Sequence, residues 1–188
     1  MEIYSLGNSR EEPADAFVLG YGPFQDCAAN AGNIKGKIIL VLFRLATVVR
    51  ANKFLCILFF WYLLIYRIFV EWFLNVELHW NVKVGKGLCL MHGHGTVING
   101  TAVIGENCTL RHLTTIGNKK LADGSFGLAP KIGNNVDIGA NSVIIGEISI
   151  GNNVTIGAGS VVTKSFPSDC IIVGNPARIL KHKTHTHV

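Results

Sequence analysis

The sequence predicts a mainly β protein: a parallel β-helix of about four coils, preceded by an α-helical N-terminal segment. Three observations predict it. Aliphatic residues recur every six positions, at Val84, Leu90, Ile98, Ile104, Leu110 and Ile116, and again at Ile132, Ile138, Ile144, Ile150, Ile156 and Val162. Gly follows directly at Gly85, Gly105, Gly117, Gly133, Gly139, Gly151 and Gly157. Small or β-branched residues stand two before the aliphatic one, as at Ala102, Cys108, Thr114 and Ser160. A six-residue period fits neither a helix nor an alternating strand. It fits a triangular solenoid in which three hexads close one coil and the aliphatic residues stack inside. The glycines are expected at corners that need φ > 0. A β-sandwich, the competing arrangement, predicts looser and irregular spacing.

Residues 1–33 are polar and Gly/Ala-rich, with acids at Glu11, Glu12 and Asp15, and suggest no regular element. Two helix candidates follow, at 36–50 and 53–74. The first is apolar but interrupted by Arg44. The second holds thirteen uncharged, mostly apolar residues from Phe54 to Tyr66, and then Arg67 and Glu71 at ion-pair spacing. Neither run reaches the ~18–20 clean apolar residues that span a bilayer. They suit burial against the β-helix or a neighbouring subunit, or peripheral membrane attachment through Phe59, Phe60, Trp61 and flanking basic residues. The chain divides into an N-terminal segment (1–76), a β-helical domain (77–165) and a C-terminal extension with a basic, His-containing tail (166–188).

Composition bounds the function. Of 188 residues, 49% are apolar and 15% charged, which describes a globular chain. A net charge of +5 suits an anionic ligand or a membrane surface, but no dense Lys/Arg block points to nucleic acid. Five scattered cysteines without a C-x-x-C pair, and no basic start with an apolar core, predict a reduced cytoplasmic setting, with peripheral contact at the inner membrane face an open possibility.

Two irregularities break the ladder: two extra residues between Leu90 and Ile98, and a longer gap between Ile116 and Ile132. Such insertions leave a solenoid's regular surface as loops, where sites are built. The first contains Met91-His92-Gly93-His94-Gly95, and His112 follows Leu110 in the same frame as His92 follows Leu90. One coil plus the insertion separates the two, so both imidazoles are expected on one edge of the prism. Glu77 lies close to one coil before His92. A carboxylate holding one ring nitrogen while the other faces a hydroxyl is the arrangement of a general base with its orienter. Other readings stay open: solvated corner histidines, a His92/His94/His112 metal site despite the lack of a closed zinc pattern, Glu77 as a cap, or Cys89 as nucleophile.

The ladder, the loop after Ile116 and the ending Gly174-Asn175-Pro176-Ala177-Arg178 resemble the hexapeptide-repeat acyltransferases. Within that family the chain from Glu77 to Gly174 is similar to the serine acetyltransferases. It is closer to the colanic-acid-type exopolysaccharide O-acetyltransferases, through Ile98-Asn99, the run Leu110 to Asn118 and the run Gly151 to Val162. The resemblance implies a left-handed helix, a homotrimer and acetyl-CoA as donor, with no metal. It places the catalytic His on His92, its carboxylate partner on Glu77 and a supporting ring on His112. Donor contacts fall on Asn118, Ala140, Ala158, Thr163, Lys164 and Arg178. Serine enzymes carry charged residues where this chain has Met91, Leu128 and Ala129. That difference favours a neutral carbohydrate acceptor, free, nucleotide-linked or lipid-linked, held near Met91, His94, Asn99 and Asn118 during surface-polysaccharide assembly. Serine O-acetylation, a metal-dependent β-helix hydratase and a non-catalytic scaffold are the rival readings.

Overall fold

The computed structural model describes residues 22–184. Fourteen short parallel strands wind into a solenoid. The first coil is β1 (Val76–Leu78), β2 (Lys83–Val84) and β3 (Cys89–Met91). The second is β4 (Thr96–Ile98), β5 (Val103–Ile104) and β6 (Thr109–Arg111). The third is β7 (Thr115–Gly117), β8 (Lys131–Ile132) and β9 (Asp137–Ile138). The fourth is β10 (Val143–Ile145), β11 (Ser149–Ile150) and β12 (Thr155–Ile156). The fifth is β13 (Val161–Val162), a single bridge from Phe166 to Ile150, and β14 (Cys170–Val173). An antiparallel strand, β15 (Arg178–His182), closes that end against β14.

The strands stack into three sheets: sheet 1 begins with β1, sheet 2 with β2 and sheet 3 with β3. Register aligns the core into three columns. Leu78, Ile98, Ile116, Ile144 and Val162 form the first. Val84, Ile104, Ile132, Ile150 and Phe166 form the second. Leu90, Leu110, Ile138, Ile156 and Ile172 form the third. All are buried. This is one coil more than the twelve-position ladder implies. Leu78 extends the six-residue period backward, while Phe166 and Ile172 extend it forward at broken spacing.

The glycines have a different cause from the one expected. Those that directly follow a core residue do not have positive φ. Apart from Gly117, they lie where one coil presses on the next: a Cβ on Gly85 would sit 2.7 Å from the Glu106 nitrogen. The left-handed conformation falls two residues later, at Gly87, Asn107, Asn135, Asn153 and Asp169 on the corner between sheets 2 and 3. Asn and Asp tolerate that region better than other side chains.

The N-terminal elements are α1 (Ile34–Ala51), α2 (Lys53–Leu58), α3 (Phe60–Tyr66) and a π-helical turn (Arg67–Phe73). The second helix candidate is therefore broken, at Phe59, and widens into a π-helix beyond Tyr66. Residues 22–33, for which the sequence suggests no element, form a run of turns with a definite task. The first coil has no preceding coil to satisfy its edge groups, and side chains take its place. Asp26 accepts from the Leu88 nitrogen, Asn30 bonds both the Leu88 oxygen and the Leu90 nitrogen, and Asn33 donates to the Leu90 oxygen. Arg44 donates to the Val84 and Gly85 oxygens, both at 2.6 Å, and Tyr66 donates to the Leu78 oxygen. Arg44 is itself paired with Asp26 at 2.8 Å, and both are buried. Each strand of the first coil thus has at least one edge group or neighbouring corner group bonded by a side chain, which disfavours unwanted pairing. Arg44, which looks like an interruption of an apolar helix, is an edge cap.

Candidate active site

The corner between sheets 3 and 1 departs from uniformity. On this corner the Leu113 nitrogen donates to the His94 oxygen, Asn141 to His112, and Gly159 to Ala140. These bonds stack His94, His112, Ala140 and Ala158 in successive coils. The frame expected from sequence pairs His92 with His112. The structure pairs His94 with it instead, because the two inserted residues are used up before the ladder resumes. The His94 and His112 rings are stacked, with centroids 5.0 Å apart and an interplanar angle of 16°. His92 sits within the insertion at φ +64° and presents its ring edge-on to His112, at 5.9 Å. All three histidines do meet on one edge, with His92 and His94 exposed and Met91 beside them.

Leu113 holds this turn, and the sequence reading missed it. It adopts φ +58°, a region where a bulky side chain is an outlier and costs on the order of 1–3 kcal/mol. Its side chain covers Gly95, where any Cβ would collide with Leu113 Cδ2. The available signal was positional: three residues after a core residue, other coils of this corner carry Gly93, Asn141 and Gly159. His112 Nδ1 is buried without a hydrogen-bond partner among the described residues. Such atoms are rare in folded proteins and need a reason. The neighbouring Arg111 is engaged by Asp137 and by the Ile138 oxygen.

His92 opens onto a pocket of about 330 Å³ between the N-terminal turns and sheet 3, lined by Ala29, Asn30, Gly32, Asn33, Cys89 and Met91. No charged side chain lines it. Burial pushes the Cys89 thiol up, against the opposing pull of Arg111, so the thiol is held protonated rather than poised as a nucleophile.

The other expected site residues lie elsewhere. Glu77 projects from the outward face of β1, in register with Val97. It lines a second pocket, of about 570 Å³, with His79, Asn99 and Asn118. No hydrogen bond joins Glu77 to His92. Thr163 and Lys164 follow β13 on the same corner between sheets 1 and 2, and Lys164 Nζ stands 5.5 Å over the Phe166 ring. Ala140 and Ala158 share the histidine edge. Arg178 is exposed at the start of β15. Within a single chain the candidate residues thus fall into two groups, one around the histidine edge and one around the corner between sheets 1 and 2. Among the described residues, no group of three or more His, Cys, Asp or Glu converges as a metal site.

Residues 129–164 match the profile of the bacterial transferase hexapeptide (six repeats). Over 118 residues, 62% of this chain, the sequence is 41% identical to the "Putative colanic acid biosynthesis acetyltransferase WcaB" of Escherichia coli K12, covering 70% of that protein. It is 49% identical to serine acetyltransferase 1, chloroplastic, of Arabidopsis thaliana over 108 residues, 57% of this chain but 34% of the plant protein. The solved soybean serine acetyltransferase apoenzyme superposes with a TM-score of 0.72 at 30% identity, over 85% of this chain and 67% of that one. The solenoid matches the left-handed β-helix. With its hexad core, its irregular histidine corner and these similarities, the chain belongs to the hexapeptide-repeat acyltransferase family, as an acetyltransferase.

Proposed function

We propose that the protein transfers an acetyl group from acetyl-CoA to a hydroxyl of a neutral sugar during assembly of a surface polysaccharide. The uncharged lining of the pocket beside His92 carries the choice of acceptor. Free serine brings an ammonium and a carboxylate, and leaving both desolvated and unpaired costs roughly several kcal/mol. Met91, Leu128 and Ala129 offer neither charge a partner. A hexose brings only hydroxyls, which Met91 would pack against and His94 would bond, with Asn99 on the second edge of a neighbouring chain as a further partner.

In this reading His92 takes the proton from the acceptor hydroxyl as its oxygen attacks the thioester carbonyl. The carbon–sulfur bond then breaks, and the imidazolium returns the proton to the departing CoA sulfur. No covalent enzyme intermediate is needed. His112 supports the base through its ring contact with His92. Glu77 is the orienting carboxylate, reaching His92 through a rotamer change or across a subunit boundary. The small side chains of Ala140 and Ala158 leave room for the pantetheine arm along the histidine edge. Asn118, Thr163 and Lys164 on the other edge, with Arg178, would contact the donor and its phosphates. A homotrimer brings the histidine edge of one chain against the second edge of its neighbour and completes the site. Light scattering should give a mass near three times 20.4 kDa; an active, monodisperse monomer would refute the assembly. Because CoA thioesters are held inside cells, the site faces the cytoplasm.

Serine O-acetylation is the second reading, favoured by the identity to the plant enzyme and by the serine acetyltransferase structures. A thiol-release assay with acetyl-CoA separates the two. The sugar reading expects turnover with a hexose, oligosaccharide or lipid-linked repeat unit. Turnover of serine at kcat/KM above ~10⁴ M⁻¹s⁻¹, the ordinary enzyme range, with every glycan failing, would overturn it.

A further inference from the structure

The second helix candidate is apolar on two faces. Leu63, Tyr66 and Val70 are buried toward the β-helix, and the Tyr66 hydroxyl is fixed on the Leu78 oxygen. The opposite face is apolar and open. Phe54 and Ile57 are 72% and 78% exposed, Phe60 and Trp61 60% and 49%, and Trp72 and Phe73 74% and 77%. A helix apolar all round has a second partner to find, and a contiguous exposed patch of large side chains marks an interaction surface.

Charge identifies the partner. Apart from Arg44, which is buried and paired with Asp26, residues 34–76 hold five basic side chains (Lys35, Lys37, Arg50, Lys53 and Arg67) and one acid, Glu71. Glu71 is buried and bonded to Arg67, while Arg50, Lys53 and Arg67 are exposed around the apolar face. A symmetric contact with a second copy would set these cations against their own counterparts, with no open carboxylate on the patch to balance them. An anionic lipid surface accepts both features, taking the aromatic side chains into the acyl boundary and pairing the cations with headgroups. Spanning does not fit. Among the described residues no helix is long and apolar enough to cross a membrane, and the helix pieces stay packed on the solenoid through Tyr66.

We infer that α2, α3 and the π-helical turn form an in-plane docking surface for an anionic membrane. This inference stands apart from the identity of the acceptor and would survive its revision. The test is flotation of the full chain with phosphatidylcholine vesicles, with and without phosphatidylglycerol, at low and high salt. The expected result is at least ~10-fold more bound protein on the anionic vesicles at low salt, reversed by high salt. Arg50→Glu/Lys53→Glu and, separately, Trp72→Ser/Phe73→Ser should each abolish flotation while acetyl-CoA turnover on a soluble acceptor is kept. Equal absence of flotation from both vesicle types overturns the inference. So does assembly of the protein in light scattering beyond its basal oligomer that Trp72→Ser/Phe73→Ser abolishes, because the patch is then an interface between copies.

Discussion

Two corners of the same prism show how this chain separates scaffold from chemistry. Between sheets 2 and 3 every coil repeats one turn. The nitrogens of Asn107, Asn135, Asn153 and Asp169 donate to the oxygens of Lys86, Glu106, Asn134 and Asn152, all at 2.8–2.9 Å. Side chains reinforce the stack: Asn134 accepts from the Glu106 nitrogen, Asn152 from Asn134, and Ser168 from Asn152. Small or tolerant residues occupy the left-handed positions throughout. Between sheets 3 and 1 the ladder persists, but two inserted residues, three histidines, a left-handed Leu113 and an unpartnered buried nitrogen gather in the first two coils. The uniform corner satisfies its own polar groups. The irregular corner leaves one buried nitrogen unpartnered and one bulky residue in the left-handed region, departures of the kind that cluster at functional sites. Regularity marks scaffold here, and its failure marks the candidate site.

The sharpest way to break this contrast is to truncate one side chain on each corner. His92→Ala is expected to lower turnover on the order of 10²–10⁴-fold with CoA affinity nearly intact. Lys86→Ala, at the matching place on the uniform corner, should leave turnover unchanged. Steady-state kinetics and CoA titration read both, and a His92→Ala enzyme keeping more than about a third of wild-type rate would remove His92 as base.

Stability should divide the other way. Asp26 closes the open end of the uniform corner and neutralises buried Arg44. Asp26→Ala strands that cation, at a cost of ~3–5 kcal/mol, seen as a large drop in thermal midpoint. A drop no greater than that of a surface control would mean that the first coil needs no such cap. Within the corner itself, Asn134→Ala removes one acceptor and should cost ~1 kcal/mol in urea unfolding, without a change in rate.

Leu113→Gly sharpens the comparison with the smallest stability effect. Glycine relieves the positive φ but loses the cover over Gly95, so the stability change should stay within ~1 kcal/mol. Turnover should still fall several-fold as the His92–His94 turn loosens. Unchanged kcat with a large loss of stability would make Leu113 a packing residue only.

How far the sequence reached differs between ladder and site. Twelve core positions and the acyltransferase resemblance were readable because a period of six leaves its mark at every coil. The fifth coil was hidden at its ends, where Leu78 adjoins the helices and Phe166 and Ile172 fall off the spacing. The glycine positions were readable but their reason was not. The sequence shows that Gly recurs, yet only stacked coils reveal that a Cβ there would strike the next backbone. Among the candidate residues, His92 and His112 were expected on one edge and meet there, but it is His94 that stacks on His112. An insertion does not announce which of its residues rejoins the ladder.

By itself, then, the sequence determined what repeats: the hexad core, the parallel coils and the edge on which histidines collect. Those are local signals that accumulate over many residues. Only the tertiary structure decided what occurs once. It turned residues 22–33 and Arg44 into a substitute for a missing coil, matched His94 rather than His92 to His112, and put Glu77 and Lys164 away from the histidine edge. Each of these depends on side chains far apart in the chain meeting through backbone groups or coil register, and no local pattern encodes that meeting.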